Sequence, residues 1–238
     1  MGFMPLFFAG FLFTAGPKWL NVPPYEASRL LPALLLQAAG WVLWLVGAHL
    51  HLALAVAGLA LATAGLGWMY ALFWRLIHAS RVPDRVHAKA VGMGGVLGTL
   101  CLVGTALALA GGQVDVALAL VRTALWGFIV VVYVSVAHRM IPFFTSNVLP
   151  LIELWRPFWV LRLMLGVAAF EVLALWVDFF APSQQAWPAW TVLAIAVELA
   201  AGGVLLWLAV VWGLVQSLKI RLLAMLHVGF VWLGLALL

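Results

Sequence analysis

The sequence alternates between long apolar runs and short polar joints. The apolar runs lie near residues 2–16, 30–48, 52–77, 90–110, 116–137, 159–180, 190–215 and 222–238. A helix needs about 20 apolar residues to cross the hydrocarbon core of a bilayer. The pattern predicts an all-α fold, a polytopic transmembrane helical bundle of about eight spans, with six long spans and short first and last ones. Runs of this length, without inside–outside alternation, exclude a membrane β-barrel.

The composition agrees with a membrane protein. The chain is 67% hydrophobic and 8% charged, whereas a soluble domain carries about 25% charged residues. With so few charges the chain could not cover its surface in water, which excludes a soluble enzyme, a disordered chain and a nucleic-acid-binding protein. We expect a single integral membrane domain over residues 1–238 whose main partner is the lipid bilayer.

The basic residues indicate how the chain crosses the membrane. All of the twelve Lys and Arg residues except Arg122 fall on alternate joints between the apolar runs. The positive-inside rule assigns these joints to the cytoplasm, so both termini are expected to face outward. The same rule explains the net charge of +5 without an anionic partner.

Three charged residues fall inside apolar runs. At about 1.5 Å per residue, Arg122 lies about 9 Å below the outer end of its span, and Glu171 and Glu198 about 12–14 Å below theirs. A charge within a span is costly and needs a partner or a function. The similar depths favour a buried polar cluster, which is either a structural ion pair between helices or a proton or ion relay.

Histidines are the candidate metal ligands, since the single cysteine, Cys101, lies in an apolar run. His49 and His51 sit on a joint, where they form either a solvated pair or a copper or zinc site. His138 lies at a span end and His227 about 9 Å inside the last span. A histidine within a span must find a partner, which makes these two candidates for haem or copper ligation.

Two further patterns concern helix geometry. Gly94 and Gly98 have the GxxxG spacing that allows close helix packing. Residues 139–159 contain Pro142, Pro150 and Pro157, which should interrupt a continuous helix. The aromatic and Arg content of that segment suits the headgroup layer. We find no phosphate-loop, serine-hydrolase, zinc-protease or dinucleotide motif, so nothing indicates nucleotide-driven or hydrolytic chemistry.

The stretch VAHRMIPFFTSNVLP at residues 136–150 resembles the NnrS family of bacterial inner-membrane proteins, most specifically in HRMIPFFT from His138 to Thr145. AGFLFTAGPKWL at residues 9–20 is similar to that family's early GFLLTA-type segment. LAMLHVGFVWLGL at residues 223–235 resembles its later LHLGYAW-type span. The similar stretches occur in family order along the whole chain.

The resemblance implies a multi-pass protein of the bacterial inner membrane that binds haem or copper and takes part in the response to nitric oxide. It highlights His138, Arg139 and His227, and the residues agree in part: Arg139 at the cytoplasmic interface suits a haem propionate, and His138 or His227 suits a metal. Typical members carry an earlier histidine-bearing segment and a later GHTGR-type motif. This chain resembles either a short divergent member or a fragment without them, and if the metal ligands reside in those parts its site is incomplete or absent.

Two other functions remain open from the residues alone. One is a small proton-coupled transporter or channel that uses Arg122, Glu171 and Glu198. The other is a metal-free scaffold that assembles a respiratory complex or a homo-oligomer. The sequence does not decide whether the protein is an enzyme.

Overall fold

The computed structural model describes residues 2–149, 152–181 and 188–238, and every regular element within these ranges is helical. The α-helices are α1 Phe3–Leu20, α2 Ala27–Leu50, α3 Leu52–Ala79, α4 Val86–Ala110, α5 Val114–Ala124, α6 Val131–Val148, α7 Phe158–Phe180, α8 Pro188–Val211, α9 Leu214–Ser217 and α10 Arg221–Leu235. A π-helical stretch, Leu125–Val130, joins α5 to α6, so that Val114–Val148 forms one helical rod. The predicted all-α membrane fold is confirmed.

Six helical segments among the described residues are long and apolar enough to cross a membrane. They are Ala27–Leu50, Leu52–Ala79, Val86–Ala110, Val114–Val148, Phe158–Phe180 and Pro188–Val211. These are the six long spans expected from the sequence. The two terminal helices are shorter, with 18 residues in α1 and 15 in α10. The total of eight spans and the outward termini stay predictions.

The chain divides into two compact units, Met1–Val132 and Tyr133–Leu238. In the first unit, α2 and α3 form a hairpin that packs backbone against backbone. A Cβ atom built on Gly65 would lie 2.7 Å from the carbonyl oxygen of Ala33, and one on Gly58 would lie 2.8 Å from that of Gly40. Small residues let membrane helices approach closely enough for dispersion to hold them together. Glycines at 40, 47, 58 and 65 occupy this interface in steps of seven along each helix.

The other glycine pair in the first unit also mediates helix packing. A Cβ on Gly94 would lie 3.1 Å from Cγ1 of Val131, and a Cβ on Gly98 would enter the ring of Phe128. Phe128 is fully buried and belongs to the π-helical stretch, whose extra residue per turn changes which side chains face inward. The predicted packing role of Gly94 and Gly98 is therefore confirmed, whereas the π-helical turn was not foreseen.

In the second unit, α6 continues through Pro142 and ends at Val148, and α7 begins at Phe158, so residues 139–159 do not form one continuous helix, as their prolines predicted. A proline within a helix has a φ angle that the helix allows, but it lacks the N–H donor, and its ring crowds the carbonyl oxygen four residues earlier. For Pro142 that carbonyl belongs to His138. Pro157 does precede a new helix, as the N-cap of α7, while Pro150 lies outside the described residues. The proposed headgroup location of this segment stays a prediction.

The second unit also contains a helix break between α8 and α9. Gly213 has φ +92°, a conformation that only glycine adopts without strain. The break ends the α8 hydrogen-bond ladder at Trp212, whose side chain is 2% exposed. Because α8 ends here, the backbone of Trp212 is accessible to a side chain from another helix.

Candidate functional site

His138 lies on α6 and is completely buried. Its Nε2 atom is 3.1 Å from the carbonyl oxygen of Pro157, at the start of α7. A carbonyl oxygen only accepts, so Nε2 carries the hydrogen and donates it. The ring nitrogen with a lone pair is then Nδ1, and the imidazole orientation is fixed by the backbone of another helix.

His227 lies on α10 and is 1% exposed. Both ring nitrogens contact backbone oxygens, Nδ1 that of Leu223 at 2.9 Å and Nε2 that of Trp212 at 3.1 Å. Leu223 is four residues earlier on the same helix, so its carbonyl already accepts in the helical ladder. The Trp212 carbonyl stands at the helix break. The Nε2 contact therefore links α10 to the end of α8.

Trp212 is the residue that both histidines contact. Its ring meets the His138 imidazole edge to face at a centroid distance of 6.3 Å, and its carbonyl faces His227. The indole N–H donates to the carbonyl of Trp155 at 3.1 Å, and the Phe230 ring lies 5.1 Å away. The two histidines nominated from the sequence thus meet at one buried tryptophan, within one unit of the fold.

Residues that surround Trp212 belong to the stretches 136–150 and 223–235 that the sequence analysis singled out. Thr145, at the end of HRMIPFFT, packs against the break, since a Cβ on Gly213 would lie 3.1 Å from its Cγ2. A family model described as NnrS protein matches residues 1–238. The chain belongs to the NnrS family. No curated protein and no solved structure matches it.

The histidines of this NnrS protein differ in how well they suit a metal ion. A metal-ligating histidine usually donates its other ring N–H to a carbonyl or carboxylate, and His138 has this arrangement toward Pro157. A neutral imidazole carries one N–H, so His227 can donate to only one of its two carbonyl neighbours. To bind a metal, His227 would turn Nδ1 away from Leu223, whose carbonyl keeps its helical partner. The contact with Pro157 thus holds the His138 ring in the way that metal-ligating histidines are held, whereas His227 would have to rotate its ring first.

A closed metal site is not formed by acidic, histidine and cysteine side chains in the described part of the chain. No group of three or more of them there could hold a metal ion. Arg139 follows His138 on α6 and is half-buried. Its assignment to a haem propionate stays a prediction.

The other histidine pair occupies an exposed turn. His51 ends α2 and begins α3, and its Nδ1 accepts a hydrogen bond from the backbone N–H of Ala53 at 3.1 Å. It therefore caps the N-terminus of α3, a role that sequence reasoning missed. His49 is exposed one residue before the end of α2. A metal at this pair stays a prediction.

The predicted polar cluster is distributed over both units. Arg122 is exposed on α5 in the first unit, while Glu171 and Glu198 lie on α7 and α8 in the second. The two carboxyls are close enough to interact electrostatically, and Oε1 of Glu171 is buried without a hydrogen-bond partner among the described residues. The cluster, including a pairing of either glutamate with Arg122, stays a prediction.

Trp212, Pro157 and Gly213 were missed as site residues. Tryptophan is abundant in this chain, with 14 copies, so no single tryptophan stood out. Trp212 and Gly213 directly follow a 24-residue apolar helix, and a glycine at this position is typical of a helix end. That signal marks a helix end without revealing which side chain contacts the exposed carbonyl.

Proposed function

We propose that this NnrS-family membrane protein binds copper or haem in its second unit and takes part in the bacterial response to nitric oxide at the inner membrane. The observation that carries the proposal is the meeting of His138 and His227 at Trp212, within the segments that resemble the family. His138 is the principal ligand, with its lone pair on Nδ1. His227 is the second ligand after releasing Leu223.

Burial favours copper over haem at these two rings. A haem needs an apolar pocket large enough for the porphyrin beside its axial ligand. His138 and His227 are buried in protein, and the fully buried Phe230 packs on the ring of Trp212, which both histidines contact. A single copper ion needs no such pocket, and imidazole is one of its preferred ligands. Copper bound here would supply one-electron chemistry.

The test is metal analysis with parallel absorption spectra on the protein purified from cells supplied with copper and haem. We expect bound copper in the wild type and its loss in His138→Ala. The matched control is His78→Ala, because His78 is exposed at the end of α3 and outside the proposed site. The control should retain the wild-type metal content.

Three results would change this proposal. Wild-type protein without copper or haem would remove the cofactor. Equal loss of metal in His138→Ala and His78→Ala would remove the site assignment. A Soret band that persists in His138→Ala would place haem on other residues, and Arg139→Gln would then test the propionate contact.

A second candidate function is proton-coupled transport, which is supported by the proximity of Glu171 and Glu198 on adjacent helices. Two carboxyls that interact within a membrane are suited to share or pass a proton. Glu171→Gln and Glu198→Gln should each abolish a proton flux into liposomes. A flux that both variants preserve would exclude this function, and metal content serves as the independent control on folding.

A further inference from the structure

The first unit contains an apolar cavity of about 630 Å³ near one end of its helices. The start of α1, the second half of α2, one position of α3, the last turns of α4 and the first turns of α5 surround it. Its lining includes Ala38, Trp41, Val42, Leu45, Leu118 and Val121. Its volume is within the range of small-molecule binding sites.

The lining provides almost nothing polar for a ligand to bind. Its side-chain polar groups are two indoles and the hydroxyl of Thr105, and that hydroxyl donates to the carbonyl of Cys101 at 2.7 Å. The indole N–H of Trp41 is buried without a hydrogen-bond partner among the described residues, which leaves one buried donor on a lining residue. One N–H donor does not replace the hydrogen bonds to water that a charged headgroup or a quinone ring would lose here. The chemistry therefore selects a hydrocarbon ligand.

The position of the cavity matches one leaflet of the bilayer. The lining residues run from Leu102 to Leu109 on α4 and from Val114 to Val121 on α5, each a rise of about 10 Å. They begin beside the turn that joins these helices and go inward, whereas half of the hydrocarbon core measures about 15 Å. The cavity thus occupies most of the depth of one leaflet, from the headgroup side.

The cavity opens sideways toward the region that lipid occupies. Its rim includes Val42, Leu45 and Leu118, which are 61%, 55% and 52% exposed. Large exposed aliphatic side chains on a membrane helix face acyl chains. A chain could therefore enter from the bilayer without crossing water, and an empty cavity would leave its lining atoms without dispersion partners.

We propose that this cavity binds one acyl chain of a membrane phospholipid from the leaflet on the side of the α4–α5 turn. The chain fills the space between the start of α1 and the α2, α4 and α5 helices. A ligand that binds only the folded state stabilises that state. The bound lipid therefore holds the first unit together at this end, and its loss during delipidation lowers the stability of the protein.

Adjacent alanines on α2 provide a matched test. Ala38 lines the cavity, whereas Ala39 is exposed and does not line it. Ala38→Phe fills the space, and Ala39→Phe adds the same ring outside it. The full chain is purified in mild detergent, and its retained lipids are identified and counted by mass spectrometry. Dioleoyl phosphatidylglycerol is then added back to delipidated samples while the melting temperature is measured.

The wild type and Ala39→Phe should each retain phospholipid and gain melting temperature when it is added back. Ala38→Phe should retain little and gain nothing, with at least about a tenfold loss of apparent affinity. If Ala38→Phe does not fold, as judged by circular dichroism and size exclusion, Val121→Phe fills the same cavity from α5.

The proposal is overturned if folded wild-type protein retains no phospholipid and is not stabilised by it. It is also overturned if Ala38→Phe and Ala39→Phe respond to lipid equally. Retention of a prenyl quinone in place of phospholipid would overturn the acyl-chain assignment. These outcomes are independent of copper or haem, which belong to the second unit.

Discussion

A methyl group at Gly40 would collide with the backbone of the neighbouring helix. The Cβ atom of Gly40→Ala would overlap the backbone nitrogen of Ala62 most closely, and it would lie 2.7 Å from Cα of Ala62 and 2.7 Å from the carbonyl oxygen of Gly58. Favourable contact between carbon atoms begins at about 3.5 Å. Because these are backbone atoms within helices, no side-chain rotation can relieve the overlap, and α2 must move away from α3.

The magnitude follows from that displacement. The shortfall from 2.7 Å to about 3.5 Å is about 0.8 Å and is larger at the nitrogen of Ala62, and a gap of 0.5–1 Å forfeits a quarter to a half of each dispersion contact along the hairpin. Overpacking of this kind typically costs about 1–3 kcal/mol. Alanine recovers about 0.5–1 kcal/mol through its higher helix propensity. The free energy of unfolding should therefore fall by up to about 2.5 kcal/mol, and it should be about 1–3 kcal/mol lower than in a glycine-to-alanine variant that gains the same propensity without overlap.

The assay is equilibrium unfolding in mixed micelles, followed by circular dichroism and by tryptophan fluorescence. Gly10→Ala is the matched control, because nothing lies within 4 Å of a Cβ at Gly10. That variant should be neutral or more stable by up to about 1 kcal/mol. If Gly40→Ala is as stable as Gly10→Ala, the close approach of α2 and α3 is wrong.

Three further predictions concern the region around Trp212. His227→Leu removes the donor to the Trp212 carbonyl and should lower the free energy of unfolding by about 1–3 kcal/mol. His227→Gln keeps a donor and should lower it by less. Equal losses of stability in the two variants would contradict the contact. Gly213→Ala should cost at least about 1–2 kcal/mol because of its positive φ, against no loss for Gly203→Ala, which has open space. Trp212→Phe keeps a ring but loses the bond to Trp155, which should cost about 0.5–1.5 kcal/mol; a neutral result in chemical denaturation would refute that bond.

Much of the helical framework could be predicted from the sequence, whereas one local feature of it could not. Hydropathy and length located the six long spans, and GxxxG spacing indicated the packing of Gly94 and Gly98. The prolines of residues 139–159 indicated that this segment is not one helix, and the break follows Val148 while Pro142 lies within α6. The π-helical stretch Leu125–Val130, which contains the fully buried Phe128, was not foreseen, because apolar periodicity does not distinguish one π-helical turn from an α-helical one.

The candidate site was only partly predictable. His138 and His227 were recognised because buried imidazoles need partners and because their stretches resemble the family. Neither spacing nor composition indicated that both histidines contact Trp212 or that Pro157 accepts from His138. These contacts join residues 15 or more positions apart in the chain and on different helices, so they depend on how the helices assemble.

The sequence by itself determined that this is a helical membrane protein and where most of its helices run. In hydrocarbon every backbone N–H and C=O must be satisfied within its own segment, so the length of an apolar run is enough to specify a helix. The tertiary structure alone decided which helix faces meet, from the α2–α3 glycine interface to the histidines at Trp212. Lipid is as apolar as the helix surface, so hydrophobicity does not select partners, and close shape complementarity between distant residues does.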